Sequence, residues 1–329
     1  MDSEIQTASS VQEKDTLRER AEVWALLEGD RRVVAAGIAI GFAGLIGALI
    51  WGGVLAVGPD SFAATLFGSG LTSGVVTLVT IALSINQLIL SRVFGTPDVL
   101  TDRLEGARDL RQDVEELAGR PSTPTDPTEF LSMVAITLSD RTSNLLELSE
   151  STEWQPPAEV TNALHDFVEY GQSIDTSLGE NPTVTDSLGV VLGPEYALNM
   201  NAVHHLRNEH TASLPDDVRT ELEAIEKLFE SIAIVRQFYK TIALQQDFAT
   251  LSRLIVYSGM IALASAVSLT LLYRTGSTTL PPSILPIVVA AGIGVIVAPL
   301  ALFASYILRS ATIARQTTSV GPFIPPSER

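Results

Sequence analysis

No cysteine occurs in this chain, and lysine is nearly absent: of 21 basic residues only Lys14, Lys227 and Lys240 are lysines. The first absence excludes disulfides, thiolate nucleophiles and cysteine-ligated zinc. The shortage of positive charge against 38 acids leaves a net charge of −17. That argues against nucleic-acid binding, which needs clustered Lys and Arg. Catalytic signatures are missing too. There is no phosphate-cradling GxxxxGKS/T, no strand-linked GxGxxG, no GxSxG elbow and no HExxH. Of four histidines, His204 and His205 are adjacent and His210 follows Glu209. Neighbouring residues on a helix point to different faces, whereas metal ligands on one helix sit about a turn apart. We read them as surface or interface histidines. Glu115-Glu116 and Asp216-Asp217 read as solvated helix charges rather than a catalytic dyad. The chain is expected to be no enzyme, and to hold no metal and no cofactor.

What is present is apolar sequence in long runs. Of the 329 residues, 46% are hydrophobic. Val33–Val57 reads as a first membrane span, and Gly70–Ser91, within an uncharged run that starts at Ser61, as a second. Leu254–Tyr273 and Ser283–Leu308 give a third and a fourth. The first run is too long, and its leading segment too acidic, for a secretory signal. Gly37, Gly41, Gly44 and Ala48 recur at helical spacing and form a small-residue face of the kind that lets helix backbones approach closely. Pro286 and Pro299 fall inside the fourth span. Gly58–Ser69 and Arg274–Pro282 are read as outer loops.

The second span carries the functional argument. Ser73, Thr77, Thr80, Ser84, Gln87 and Ser91 recur every third or fourth residue, so a helix aligns them as one polar stripe against Val, Leu and Ile elsewhere. Hydrocarbon offers such groups no hydrogen-bond partner, so the stripe is expected to face protein or water. It suits either a pore lining, with Arg92 at its inner mouth favouring small anions, or hydroxyl-mediated helix packing. Four spans cannot enclose a wide aqueous path, so a pore requires a homo-oligomer.

Between spans two and three lies an acidic block. Residues 95–253 hold 28 acids and 11 bases, the whole of the net charge. Amphipathic helices are expected over Asp98–Ala118, Thr128–Ser149, Ala158–Leu178 and Thr185–Asn208, the last interrupted near Gly193-Pro194. Ser213 can cap a helix with Pro215 in its first turn, and from Asp216 to Leu272 there is no proline and the single glycine is Gly259. Leu222, Ile225, Phe229, Ile232, Arg236, Tyr239 and Ala243 follow a heptad-like spacing. The reading is one helix running into the third span, roughly 85 Å long at the standard rise, with a break near Thr250–Arg253 as the competing reading. Leu17, Val23, Trp24 and Leu27 give residues 13–30 an amphipathic character, lying either at the membrane surface or on the soluble helices.

The fold class is therefore all-α: a four-span membrane protein with a helical cytoplasmic domain inserted between spans two and three. Its parts are an N-terminal segment (1–32), a hairpin (33–94), the acidic domain (95–253), a second hairpin (254–308) and a mobile tail (309–329). Basic residues number five before the first span, none in the first outer loop, one in the second and three in the tail. This places both termini and the acidic domain in the cytoplasm and the protein in the cell membrane.

This layout resembles that of bestrophin-type anion channels, which are pentamers; the resemblance is one of layout and assigns no residue a role. Through Ser84-Ile85-Asn86-Gln87-Leu88-Ile89-Leu90-Ser91 the chain is similar to uncharacterised four-span membrane proteins of halophilic archaea, as are its acid excess and scarce lysine. Two functions are expected from the whole: an ion-conducting pore, or a non-conducting membrane scaffold or signalling module working through its soluble helices.

Overall fold

The computed structural model describes residues 6–11, 16–59, 61–93, 97–151, 154, 156–179, 190, 191, 193, 195–210, 214–274 and 277–316. In chain order its elements are α1 (Leu17–Val23), a π-helical turn (Trp24–Glu28), α2 (Arg31–Trp51), a short α3 (Ala63–Thr65), a π-helical stretch (Leu66–Leu71) and α4 (Thr72–Val93). There follow α5 (Pro97–Ala118), α6 (Pro127–Ser151), α7 (Ala158–Leu178), α8 (Glu195–His210) and α9 (Asp216–Leu271). The strands β1 (Tyr273–Arg274) and β2 (Ser277–Thr278) and the helix α10 (Leu285–Gln316) complete it. Two compact units result, one of residues 1–22, 95–243 and 313–329, the other of residues 23–94 and 244–312. The residues of α9 divide between them at Ala243.

The first unit holds the acidic helices. Proline opens α5 and α6, where its missing N–H costs no helical bond. Asp126 caps α6 by accepting from the backbone N–H groups of Thr128 and Glu129. Gly119, at φ +61°, ends α5, with the Arg120 N–H returning to the Glu115 carbonyl. Packing buries Leu131, Val134, Leu138 and Leu145 of α6, Leu164, Phe167, Tyr170 and Ile174 of α7, Val203 and Leu206 of α8, and Ile225, Phe229 and Ile232 of α9. The Phe167 and Phe229 rings meet edge to face at 5.2 Å. Burial pushes the Tyr170 hydroxyl far above the usual phenol range, so it stays protonated. The heptad-like series predicted on α9 is buried throughout, including Arg236, which donates to the Tyr196 hydroxyl at 3.1 Å.

Among the described residues four helices are long and apolar enough to cross a membrane, Arg31–Trp51, Ala63–Ile85, Asp216–Leu271 and Leu285–Ala314, and the second unit holds residues 31–51, 63–85, 244–271 and 285–312 of them. Its core joins Ile50, Phe67, Val75, Ala262, Ala266, Leu269, Val289, Ile293 and Ile296. Gly259 lets α4 and α9 approach, since a Cβ there would lie 2.6 Å from Val79 Cγ2. Gly294 does the same for α10 and α2, against Ala43.

Several expected boundaries move. The first helix stops at Trp51, not Val57, because Gly52 and Gly53 follow and Gly53 adopts φ +71°. Helix returns at Ala63, inside the expected loop Gly58–Ser69. No break interrupts α9 near Thr250–Arg253. Pro286 sits in the first turn of α10, where no N–H is needed, so only Pro299 is interior. The segment Arg274–Pro282, expected as loop, begins with a two-strand hairpin pairing Tyr273 with Thr278, a small departure from the all-α reading. The tail expected from 309 is helical to Gln316. The capping role expected of Ser213 lies outside the described residues.

Candidate functional site

The helical repeat divides α4 into two opposite faces. Val75 and Ala82 are buried in the membrane unit, with Val79 packed beside them. Ser73, Thr77, Thr80, Ser84 and Gln87 are exposed on the other side. The predicted stripe thus exists as one face, and it points away from the chain's own bundle. Ser91 and Arg92 continue the helix, but their side chains lie outside the described residues.

The hydroxyls are not without partners. Thr77 Oγ1 donates to the Ser73 carbonyl at 2.9 Å, Thr80 Oγ1 to the Val76 carbonyl at 2.9 Å and Ser84 Oγ to the Thr80 carbonyl at 3.0 Å. The premise that nothing in hydrocarbon can satisfy them therefore needs correcting: their own helix accepts each proton. The carboxamide of Gln87 carries two donors and an acceptor, a greater polar load than any of these hydroxyls.

The helix α2 shows the same division. Gly37, Gly41, Gly44 and Ala48 are exposed, and a Cβ on any of the three glycines would meet nothing within 4 Å. Contact inside the bundle comes instead from a second small-residue row: Ala35 and Ala39 are buried against Ala301, Ala43 faces Gly294, and Gly47 faces Ala290. That row was readable as Ala35-Ala39-Ala43-Gly47, one residue per turn, but a four-residue step alone does not tell which of two rows points inward.

Sequence reasoning missed a buried charge cluster in the same unit. Arg31, 2% exposed, donates to the carbonyls of Trp24, Ala25 and Gly29, closing the π-helical turn onto the start of α2. The Arg31 carbonyl accepts from Ser305 of α10. Nearby, Arg309 Nη1 of α10 lies 3.3 Å from Asp247 Oδ1 of α9, both side chains largely buried. Asp247 Oδ2, Arg309 Nε and Ser310 Oγ have no hydrogen-bond partner among the described residues. One signal was available: Asp247 is the last acid before the third apolar run, flanked on both sides by uncharged sequence.

In the helical unit, Glu226 receives His204 Nδ1 at 2.9 Å and also Arg207. His204 is thus hydrogen-bonded to a glutamate that Arg207 also pairs with. Among the described residues no three His, Asp or Glu side chains form a group that could hold a metal.

Neither the curated proteins nor the solved structures include a match to this chain. A family model does match, over residues 1–329, and the chain belongs to that family of unknown function, DUF7972.

Proposed function

We propose that this membrane protein works as a homo-oligomer in the cell membrane, with copies meeting through the outward faces of α2 and α4, and that α4 lines an ion-conducting path at the centre of the assembly. One observation carries this reading: the two faces best suited to close helix packing, Gly37–Ala48 and Ser73–Gln87, both point away from the bundle that made them. The interior of the four-helix unit is filled with side chains, so a path for small ions runs between copies rather than within one. The layout's resemblance to bestrophin-type channels agrees with this. The helical unit and both termini lie in the cytoplasm on the count of basic residues.

A second reading, a non-conducting scaffold or signalling module, is favoured by the internal bonding of Thr77, Thr80 and Ser84. Hydroxyls satisfied within their helix need no water and pack dry seams well. Flux through liposomes separates the two. A pore loses conduction in Ser84→Leu or Gln87→Leu while the oligomer persists. A scaffold shows no flux in any form, and leucine at Ser73 or Thr77 breaks up the oligomer.

A further inference from the structure

Within the helical unit a short stretch, residues 6–11, lies on α7 and α8 and is held largely by side chains acting on its backbone. The Ala8 N–H donates to Asn199 Oδ1 at 2.8 Å, and Asn199 Nδ2 donates to the Ala8 carbonyl at 2.9 Å. The Val11 N–H donates to Ser173 Oγ at 3.2 Å, whose own proton goes to the Tyr170 carbonyl. Thr7 Oγ1 donates to Asp166. Asp166 and Ser173 stand two turns apart on α7, so they share a face.

Asn199 is the informative residue. It is completely buried, on α8, yet its carboxamide reads both the N–H and the C=O of one residue 191 positions away, as a neighbouring strand would. Were the segment to leave, a buried donor and acceptor would lose their partners, which is unfavourable. The surface therefore calls for an occupant. The occupant offers little apolar bulk to hold it: Thr7, Ala8, Ser9 and Ser10 are small, and Val11, its one larger apolar residue, is only half-buried. A main-chain clamp that is fully built on one side and lightly anchored on the other is the arrangement of a peptide-recognition groove with an exchangeable ligand.

We propose that α7 and α8 form a peptide-recognition groove, with Asn199 and Ser173 reading main chain and Asp166 reading a hydroxyl, and that residues 7–11 of the chain are its resident ligand. The class of peptide it accepts has a small residue opposite Asn199, preceded by Ser or Thr. A phosphate on that Thr sets about two negative charges against Asp166 and expels the peptide. This proposal does not depend on conduction.

The test uses the full chain in detergent or nanodiscs, with Ala8→Pro to remove the N–H that Asn199 accepts and so vacate the groove. The probe is a fluorescent synthetic peptide of residues 1–12. We expect it to bind Ala8→Pro, and to bind the unsubstituted chain at least about tenfold more weakly, because the tethered segment competes at high effective concentration. The same peptide N-methylated at Ala8, or phosphorylated at Thr7, is expected not to bind. Failure of the parent peptide to bind Ala8→Pro overturns the proposal, as does equal binding of the N-methylated peptide. Hydrogen exchange on the unsubstituted chain gives an independent readout. The Ala8 and Val11 amides are protected if the groove is occupied, and free exchange at both overturns it.

Discussion

Asp247 and Arg309 join the third membrane helix to the fourth through a buried ion pair of 3.3 Å, and each also keeps a polar atom with no partner among the described residues. Removing one member strands the other charge. Asp247→Asn is expected to destabilise the membrane unit by roughly 3–5 kcal/mol, seen as a fall in thermal midpoint in detergent. The double replacement Asp247→Leu with Arg309→Met is expected to recover most of that loss, because no uncompensated charge remains. A double variant as unstable as Asp247→Asn would contradict this account.

Close approach at Gly259 gives a second expectation. Gly259→Ala puts a methyl 2.6 Å from Val79 Cγ2 and costs about 1–3 kcal/mol. Adding Val79→Ala relieves the clash, so the pair unfolds at a higher temperature than Gly259→Ala alone.

Glycines in the helical unit split by surroundings. A Cβ on Gly171 would lie 2.7 Å from the Ala135 carbonyl oxygen, which is backbone and cannot swing aside. Gly171→Ala is expected to lower stability by more than about 2 kcal/mol. Gly106, exposed in the middle of α5 with open space around it, responds in the opposite direction. Gly106→Ala is expected to add about 0.5–1 kcal/mol, read from denaturant midpoints.

Because the chain has no cysteine, single-cysteine variants report sidedness and neighbours without background. Ser277→Cys is expected to react with an impermeant maleimide added outside intact cells, and Arg120→Cys only after lysis. Thr77→Cys is expected to give disulfide-linked dimers on mild oxidation, while Val75→Cys, on the buried face, gives none. Cross-linking through Val75 in place of Thr77 would reverse the assignment of the outward face.

Helices were legible because periodicity is a local property, and on α9 the apolar face was too, since the series Leu222–Ala243 is buried as its spacing predicted, whereas on α5 only Val114 is buried. Which of two rows on α2 turns inward was not legible, since Ala35–Gly47 and Gly37–Ala48 differ only in phase and partners outside the helix decide between them. The pairing of Asp247 with Arg309 escaped for a related reason. They lie 62 positions apart, and Arg309 read as the start of a tail. The grip of Asn199 on Ala8 likewise joins stretches 191 positions apart, a pairing that no local pattern carries.

The bonds that Thr77, Thr80 and Ser84 make to carbonyls one turn back carry a mechanical consequence. Each borrows an oxygen from the rung that stiffens the helix, and a shared acceptor holds that rung less firmly. Three such loans in succession soften the middle of α4, so that it curves with less resistance when a neighbour or a change in bilayer thickness pushes on it.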